Sequence, residues 1–537
     1  MKTKKWDADK PRIWRIHADF LFFYYLILYN ANQWLNIGKL KSCLETQILG
    51  ENHQNQDADE PGNCADLRGF QKNPRKFAQS AKICVPFLIN FSDPLRIFRS
   101  MRADVFRLLI RIYNEKNRAM KKLRLRAKVR KFWQTLGPGL VTGASDDDPS
   151  GIATYSQAGA QFGTSLLWTA IITYPLMVSI QEMCARIGLV TAHGLTGVIK
   201  RYYSKRILYL ILIVSFPSIT LNIGADIAGM GAVGNMLVPQ IPSFVFSVVF
   251  TALLMYGIIV WSYHKISTIL KWLCIVLFSY IFIPFLTHTD WLAVLYGTFL
   301  PKFETTGAYF MALVGILGTT ISPYLFFWQT SMEVEEVNQK HLVLDKNIIN
   351  LMQKDVEGGM FITNIVFYFI ILTTGTVLFN AGMHDVQTVE QAAQALQPLA
   401  GNMAYALFAV GVLGTGFLAI PVLAGALSYM MAEVFEWQEG LDKKFHEAKG
   451  FYITIIISLV LGLAINFIGI SPIKALIYTA VLYGITAPVL IALILHICNN
   501  KKIMGEYTNR IWSNLFGGLT FLLMSVAAVL LIYLQFM

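Results

Sequence analysis

From about residue 134 the sequence alternates long apolar segments with short polar ones. A helix needs about 20 mostly apolar residues to cross a hydrocarbon layer of about 30 Å. The apolar segments that meet this requirement give eleven predicted spans, at residues 134–160, 164–189, 207–235, 243–262, 266–287, 307–331, 359–380, 402–432, 452–469, 473–497 and 512–534. The pattern therefore predicts an all-α integral membrane protein.

The first 119 residues differ from the rest because they are polar and irregular. Their one apolar stretch, Phe20–Tyr29, is too short to span a bilayer and lacks the small-residue cleavage site of a secretory signal. Met120 is followed at once by basic residues and the first span, as at the start of many bacterial membrane proteins. We expect residues 1–119 to be a disordered or dispensable extension, or one added upstream of the true start, and residues 120–537 to form the membrane domain.

Basic residues mark one side of the predicted topology. Lys and Arg cluster before span 1 and after the even-numbered spans, whereas the loops after odd-numbered spans, such as Val238–Ser243, are poor in both. Such an excess indicates the cytoplasmic side. We therefore expect a multi-pass inner-membrane protein with a cytoplasmic N-terminus and an external C-terminus.

Spans 1 and 6 carry polar residues and helix breakers at mid-depth. Span 1 contains Ser145-Asp-Asp-Asp-Pro-Ser-Gly151, and span 6 contains Gly315-Ile-Leu-Gly-Thr-Thr-Ile-Ser-Pro323. Unwound backbone at this depth is tolerated only where it is buried in protein or lines a cavity. Two broken helices at matching places in two five-span halves are typical of inverted-repeat transporters. The repeats are expected at about 134–287 and 307–497, with 512–534 as an extra helix.

Composition and charge support the membrane interpretation and exclude other classes. The chain is 55% hydrophobic and 15% charged, and most of its net charge of +12 lies before residue 132, where topology explains it. We therefore expect no nucleic-acid partner. Its six cysteines are scattered, with no CxxC pair, which gives no argument for a disulfide or zinc site. The sequence shows no nucleophile–base set and no phosphate-binding loop that would indicate an enzyme.

Asp148-Pro149 is the candidate centre of the chemistry. A proline suits the first position of a restarted helix, with Asp148 as its cap, and the break frees carbonyl groups that can bind a cation together with the carboxylate. Intramembrane acids are costly and usually functional. The alternative is that residues 146–148 form a solvated loop. Asp146 and Asp147 would line an aqueous vestibule or add negative potential.

Five segments in spans 1, 2, 6 and 8 carry a family resemblance. They are Gly137-Pro-Gly-Leu-Val, Gln157-Ala-Gly-Ala-Gln-Phe-Gly, Arg186-Ile-Gly-Leu-Val-Thr, Gly318-Thr-Thr-Ile-Ser-Pro-Tyr and Leu407-Phe-Ala-Val-Gly-Val-Leu-Gly-Thr-Gly. Together they resemble the Nramp family of divalent-metal transporters, over roughly residues 133–535. The family has Asp-Pro-Gly-Asn in span 1, where this chain has Asp-Pro-Ser-Gly. The resemblance implies a leucine-transporter-type fold with a transition metal bound between the two breaks.

Carried over by position, the resemblance implies an altered ligand set. Asp148 matches the ligating aspartate, and Thr319 would supply a backbone carbonyl. Gly151 stands where the family has asparagine, and Ser322 where it has methionine. Because oxygen donors favour Mg²⁺ and Mn²⁺ over soft ions, the site resembles that of the magnesium-transporting relatives. The alternative for Ser322 is helix packing at a kink.

The groups that relay protons in the family are mostly replaced. In span 3, the positions of the family's two acids are occupied by Ile223 and Asp226. Tyr324 stands at the position of the family's span 6 histidine, and Ala480 stands near that of its span 10 glutamine. Span 9, at Tyr452–Phe467, has no arginine. Asp226 by itself would be a poor relay without a partner in hydrogen-bonding reach, and its alternative role is that of a buried structural acid. We expect weak or no proton coupling.

The leading hypothesis is a secondary carrier of divalent cations of the Mn²⁺/Mg²⁺ class, working by alternating access. Three alternatives stay open: a proton-coupled Mn²⁺/Fe²⁺ symporter, a carrier of the same fold for an amino acid or other organic solute, and a non-transporting receptor. The metal would be the substrate, with no cofactor. The expected partners are that cation and the lipid bilayer, and no oligomer is required.

Overall fold

The computed structural model describes residues 138–260, 275–341 and 344–536. The predicted extension at 1–119 and the basic run before span 1 lie outside these ranges. The α-helices are α1 Pro138–Asp146, α2 Pro149–Phe162, α3 Trp168–Thr191, α4 Leu195–Tyr202, α5 Lys205–Leu237, α6 Ser243–Val260, α7 Ser279–Leu286, α8 Trp291–Phe299, α9 Gly307–Thr320, α10 Pro323–Lys340, α11 Lys346–Val377, α12 Val389–Gln394, α13 Gln397–Ala400, α14 Ala404–Phe435, α15 Lys449–Ile465, α16 Pro472–Asn499, α17 Lys501–Met504 and α18 Ile511–Phe536. Short 3₁₀ segments lie at Ile275–Phe278, Gly401–Met403 and Asn466–Ile468.

Helices occupy all eleven predicted spans, and the fifth span is described only from residue 275. Seven helical segments in the described ranges, with α9 and α10 counted as one, are long and apolar enough to cross a membrane by length and composition. Helix α11 begins at Lys346, before the predicted start of span 7 at residue 359. The Asp345 carboxylate accepts a hydrogen bond from the Ile348 N–H at 2.8 Å and caps a polar first part of the helix that hydropathy does not detect.

The break predicted in span 1 is confirmed between α1 and α2. Asp148 has extended backbone angles, φ −69° and ψ 169°, and Pro149 is the first residue of α2. The Asp148 Oδ1 accepts a hydrogen bond from the Gly151 N–H at 2.6 Å. The aspartate is thus the cap of the restarted helix, as the Asp-Pro sequence predicts.

The break predicted in span 6 is confirmed between α9 and α10. Helix α9 ends before Ile321, whose backbone angles are φ −117° and ψ 60°. Ser322 is extended, and Pro323 starts α10. Both breaks therefore place an extended polar residue directly before a proline.

Each broken span lies backbone to backbone against one partner helix. A Cβ atom on Gly143 in α1 would lie 2.4 Å from the carbonyl oxygen of Gly359 in α11. A Cβ atom on Gly318 in α9 would lie 2.1 Å from the carbonyl oxygen of Ala480 in α16. Small residues of this kind let membrane helices approach closely, so span 1 is supported by span 7, and span 6 by span 10.

Arg186, near the end of α3, connects the early spans to the last one. Its guanidinium donates to the carbonyl oxygens of Tyr507 at 3.3 Å and Thr508 at 3.4 Å, to the side chain of Asn509, and to the Glu182 carboxylate at 3.1 Å. Arg186 is buried. The loop that leads into α18 is therefore held by a charged residue of span 2.

Candidate metal centre between the two helix breaks

The two breaks face each other inside the bundle. A Cβ atom on Gly151 would lie 3.3 Å both from the carbonyl oxygen of Asp146 and from Oγ1 of Thr319. The Tyr324 hydroxyl donates to the Ser145 carbonyl oxygen at 2.8 Å. The start of α10 thus satisfies a carbonyl group that the break in span 1 leaves without its helical partner.

Asp148 lies at the centre of this junction and is only 2% exposed. Its Oδ1 accepts the Gly151 N–H, and its Oδ2 accepts a hydrogen bond at 3.0 Å from the side-chain amide of Asn222, in α5. Sequence reasoning missed Asn222. The only signal in the sequence was an amide residue in an otherwise apolar stretch of span 3, one position before Ile223.

Asn222 also connects Asp148 to Asp226. Its Nδ2 lies 3.5 Å from Oδ2 of Asp226, one helical turn along α5. Asp226 is fully buried, and its Oδ1 has no hydrogen-bond partner in the described part of the chain. Asp226 is therefore not isolated, because one amide group bridges it to Asp148, whereas Ile223 is a core residue that cannot titrate.

Asp146 and Asp147 are buried, with 1% and 4% exposure, and their expected place in an aqueous vestibule stays a prediction. The Thr363 hydroxyl, from α11, donates to Asp147 Oδ1 at 2.8 Å. Asp146 lies beside the Ser322 hydroxyl, but among the described residues no donor meets hydrogen-bond geometry at either of its carboxylate oxygens. Of the three consecutive acids, Asp146 has the most unsatisfied oxygen atoms.

Ser322 and Thr319, both predicted ligands, contact each other. The Ser322 hydroxyl donates to the carbonyl oxygen of Thr319 at 2.6 Å and to that of Gly318 at 3.2 Å. This is the packing at a kink that was the alternative interpretation of Ser322. The hydroxyl oxygen keeps its lone pairs, so the contact leaves a ligand role open.

The donors at this junction are mostly neutral oxygen atoms. Among the described residues, no group of three His, Cys, Asp or Glu side chains is placed to hold a metal ion. The Asp148 carboxylate lies at the first break, bonded to the Gly151 N–H and the Asn222 amide, and the Asp146 carboxylate lies beside Ser322 at the second. Such a set suits a hard divalent ion that keeps part of its water shell.

Buried polar contacts also hold α1 in place below the junction. The Thr142 hydroxyl bonds to the side chain of Gln329, whose Nε2 donates to Glu333 Oε1 at 2.9 Å, and both partners belong to α10. The Gly139 N–H donates to Asp355 Oδ2, in α11, at 2.7 Å. Sequence reasoning missed these residues, since isolated polar residues in apolar helices carry no pairing signal.

Comparison with known protein families gives a match over most of the chain. Residues 139–534 match the model of the family described as natural resistance-associated macrophage protein-like, or Nramp. A divalent metal cation transporter MntH from Caldanaerobacter subterraneus is 24% identical over 420 residues, which cover 77% of this chain and 96% of the relative. One from Staphylococcus aureus is 26% identical over 420 residues, which cover 75% of this chain and 91% of the relative.

Two solved structures share the architecture. A manganese transporter from Eremococcus coleocola superimposes with a TM-score of 0.58 and 20% identity, over 74% of this chain and 86% of its own. MhsT, solved in complex with L-phenylalanine, gives a TM-score of 0.55 and 12% identity, over 74% of this chain and 98% of its own. At these identities the likeness concerns the fold, and the predicted leucine-transporter-type fold is confirmed.

Proposed function

The chain belongs to the Nramp family, and on that premise we propose that it carries divalent metal cations of the Mn²⁺/Mg²⁺ class across the bacterial inner membrane by alternating access. It is an integral membrane protein. The observation that carries the proposal is the burial of the Asp148 carboxylate where two broken helices meet. Buried intramembrane acids at such junctions mark ion pathways.

The preference for hard ions rests on the donor atoms. Asp148, the Thr319 carbonyl and the Ser322 hydroxyl all offer oxygen, and the position of the family's methionine has no sulfur. Carboxylate, carbonyl, hydroxyl and water are the ligands that suit Mg²⁺ and Mn²⁺, while a thioether favours softer ions. The names of the relatives, which include divalent metal cation and manganese transporters, support the same class of substrate.

We propose that transport is weakly coupled, or uncoupled, to protons. Tyr324 stands where the family has histidine, and its hydroxyl is already engaged with a backbone carbonyl. Span 9 offers no arginine that would stabilise a charged acid. A membrane potential supplies ~2.3 kcal/mol per elementary charge per 100 mV, so an inside-negative potential alone can drive a dication inward.

A second candidate, proton-coupled Mn²⁺/Fe²⁺ symport, is favoured by one contact. Asn222 lies between Asp148 and Asp226, so a change of charge at one carboxylate is felt at the other. An amino-acid carrier of the same fold is the weaker alternative. The consecutive aspartates at the break would repel a substrate carboxylate, which sites of that kind bind at helix N-termini.

Uptake into proteoliposomes tests these proposals. Purified protein is reconstituted with a metal-sensitive dye inside, and Mn²⁺ or Mg²⁺ is added outside under an inside-negative potassium diffusion potential. We expect uptake of both ions that depends on the potential. Failure of both ions to enter, with the protein monodisperse and inserted, would contradict the proposed function.

The same vesicles, loaded with a pH dye, test the coupling. We expect little metal-driven acidification, and no difference between the native chain and Asp226→Asn. Acidification that follows Mn²⁺ uptake and disappears in Asp226→Asn would establish the proton-coupled alternative.

A further inference from the structure

The side-chain amide of Asn222 is only half satisfied. Its Nδ2 contacts Oδ2 of Asp148 at 3.0 Å and Oδ2 of Asp226 at 3.5 Å. Its Oδ1 is buried and has no hydrogen-bond partner within the described ranges. Leaving a buried polar group unpaired is unfavourable, so we expect the free oxygen to bind a partner from outside the chain.

The position of this oxygen points to a cation. The amide is planar and carries its oxygen and nitrogen on one carbon, so Oδ1 lies beside the atom that touches Asp148. Asp146 and Asp226 have further unpartnered oxygens at the same junction, as judged over the described residues. Several unpaired oxygen atoms at one junction form an environment that a hard cation would complete.

The Oδ1 atom of Asn222 would replace a side-chain oxygen that is absent at Gly151. The resembling motif of the family has an asparagine at this position of span 1, whereas this chain has no side chain there. The first turn of α2 and Asn222 both contact Asp148 directly, through the Gly151 N–H and the Asn222 amide. The side-chain oxygen that is missing at Gly151, on one side of the Asp148 carboxylate, is thus matched by the free Oδ1 of Asn222 on the other side.

We propose that Asn222 Oδ1 is a direct ligand of the transported cation, so that span 3 supplies the amide oxygen that span 1 lacks. This inference rests on the proposed function. It changes which helices hold the substrate, because α5 takes part in binding together with the two broken spans. A residue that only orients Asp148 would act through its N–H groups instead, and the two roles respond differently to substitution.

Exchange of the donor atom separates these roles. Asn222→Cys places a soft sulfur at the proposed ligand position, and thiolates favour Cd²⁺ over Mn²⁺. We expect the ratio of Cd²⁺ to Mn²⁺ affinity, measured by isothermal titration of the purified full chain, to rise at least about tenfold. The matched control is Asn235→Cys, on the same helix, where the native side chain bonds to loop carbonyl oxygens of Pro239 and Ile241. It should leave the ratio unchanged.

Two further variants sharpen the test. Asn222→Asp keeps an oxygen but removes the N–H donors, so a ligand role predicts Mn²⁺ affinity equal to or above that of the native chain. A purely orienting role predicts a loss of about tenfold or more. Gly151→Asn in the Asn222→Ala background should restore Mn²⁺ binding that Asn222→Ala alone loses.

The outcomes distinguish the inference from the proposed function. If the native chain binds and transports no divalent cation, the proposed function fails. If the native chain transports Mn²⁺ but Asn222→Cys gains no Cd²⁺ preference, or Asn222→Asp weakens Mn²⁺ binding tenfold, only the role of Asn222 is overturned. Size-exclusion profiles and melting temperatures establish that each variant is folded, and Asn222→Asp, which is nearly isosteric, carries the test if the cysteine variant is not.

Discussion

The breaks in spans 1 and 6 have the same backbone form but opposite hydrogen bonding. At the first break the Asp148 side chain accepts a bond from the helix that follows. At the second break the Ser322 side chain donates to the helix that precedes it. The first break therefore gains negative charge with unsatisfied oxygens nearby, while the second break uses its hydroxyl proton to satisfy its own carbonyls.

This difference assigns unequal tasks to two symmetry-related elements. Under the proposed function, the first break would provide the charge that attracts a cation, and the second would provide neutral oxygen atoms in a fixed position. The two are joined by Tyr324, whose hydroxyl bonds to the carbonyl of Ser145 across the junction. Changes to the first break should therefore affect transport most strongly, and changes to the second should affect stability and selectivity.

The largest expected effect is that of Asp148→Ala. Without this carboxylate a divalent ion would have to exchange water for neutral oxygens alone, so we expect uptake in proteoliposomes to fall at least about a hundredfold while expression persists. Asp385→Ala, which removes an acid from an exposed loop, is the control and should transport normally. Native rates in the Asp148 variant would refute the site.

The packing of the second break is tested by Gly318→Ala. The added Cβ would lie 2.1 Å from the Ala480 carbonyl oxygen, so α9 and α16 must separate. Overpacking of this kind costs about 1–3 kcal/mol, which should lower the melting temperature of the detergent-solubilised protein. Gly518→Ala is the control, since nothing within the described residues lies within 4 Å of its added Cβ. Equal melting temperatures for the two variants would contradict the close packing.

Selectivity is expected to respond to Ser322→Met. A thioether at this position adds a soft ligand, so Cd²⁺ affinity should rise about tenfold, or ~1.4 kcal/mol, while Mn²⁺ affinity changes less. The measurement is isothermal titration with both ions on the same preparation. A native protein that already binds Cd²⁺ far more tightly than Mn²⁺ would show that the donors are not hard.

The smallest expected effect concerns the bond that joins the two breaks. Tyr324→Phe removes a donor from the buried Ser145 carbonyl and should destabilise the protein by about 1 kcal/mol. Tyr483→Phe is the matched control, because the hydroxyl of Tyr483 is buried without a partner among the described residues, and its ring lies 5.8 Å from that of Tyr324. Thermal unfolding of both variants makes the comparison. A Tyr483 variant that is the less stable of the two would reverse this interpretation.

The sequence predicts the positions of the breaks because proline and acidic residues at mid-depth have few possible structures. Asp148 as the cap of α2 follows from the Asp-Pro pair, and Ser322 before Pro323 follows in the same way. Span positions follow from hydropathy, except where polar residues extend a helix, as at the start of α11.

Asn222 could not be predicted because its role depends on a contact between residues 74 positions apart. An amide side chain in a mostly apolar helix gives no indication of its partner, and the family motif directs attention to Ile223 and Asp226 instead. The hydrogen bond from Thr363 to Asp147, which lies 216 positions away in the sequence, could not be predicted for the same reason. The local sequence pattern predicts the helices, whereas the contacts between side chains of different helices become visible only in the three-dimensional structure.

The contacts of Arg186 have a consequence for the order of events during synthesis. Its partners in the loop before α18 lie 321 to 323 residues downstream, so at 5–20 residues per second they leave the ribosome roughly 15 to 65 s after Arg186 does. During that interval the Glu182 carboxylate, one turn away in the same helix, is already available to pair with the guanidinium, as it does in the folded chain. Span 2 can therefore enter the bilayer with its charge compensated, and the additional bonds that capture the last loop form among the final steps of assembly.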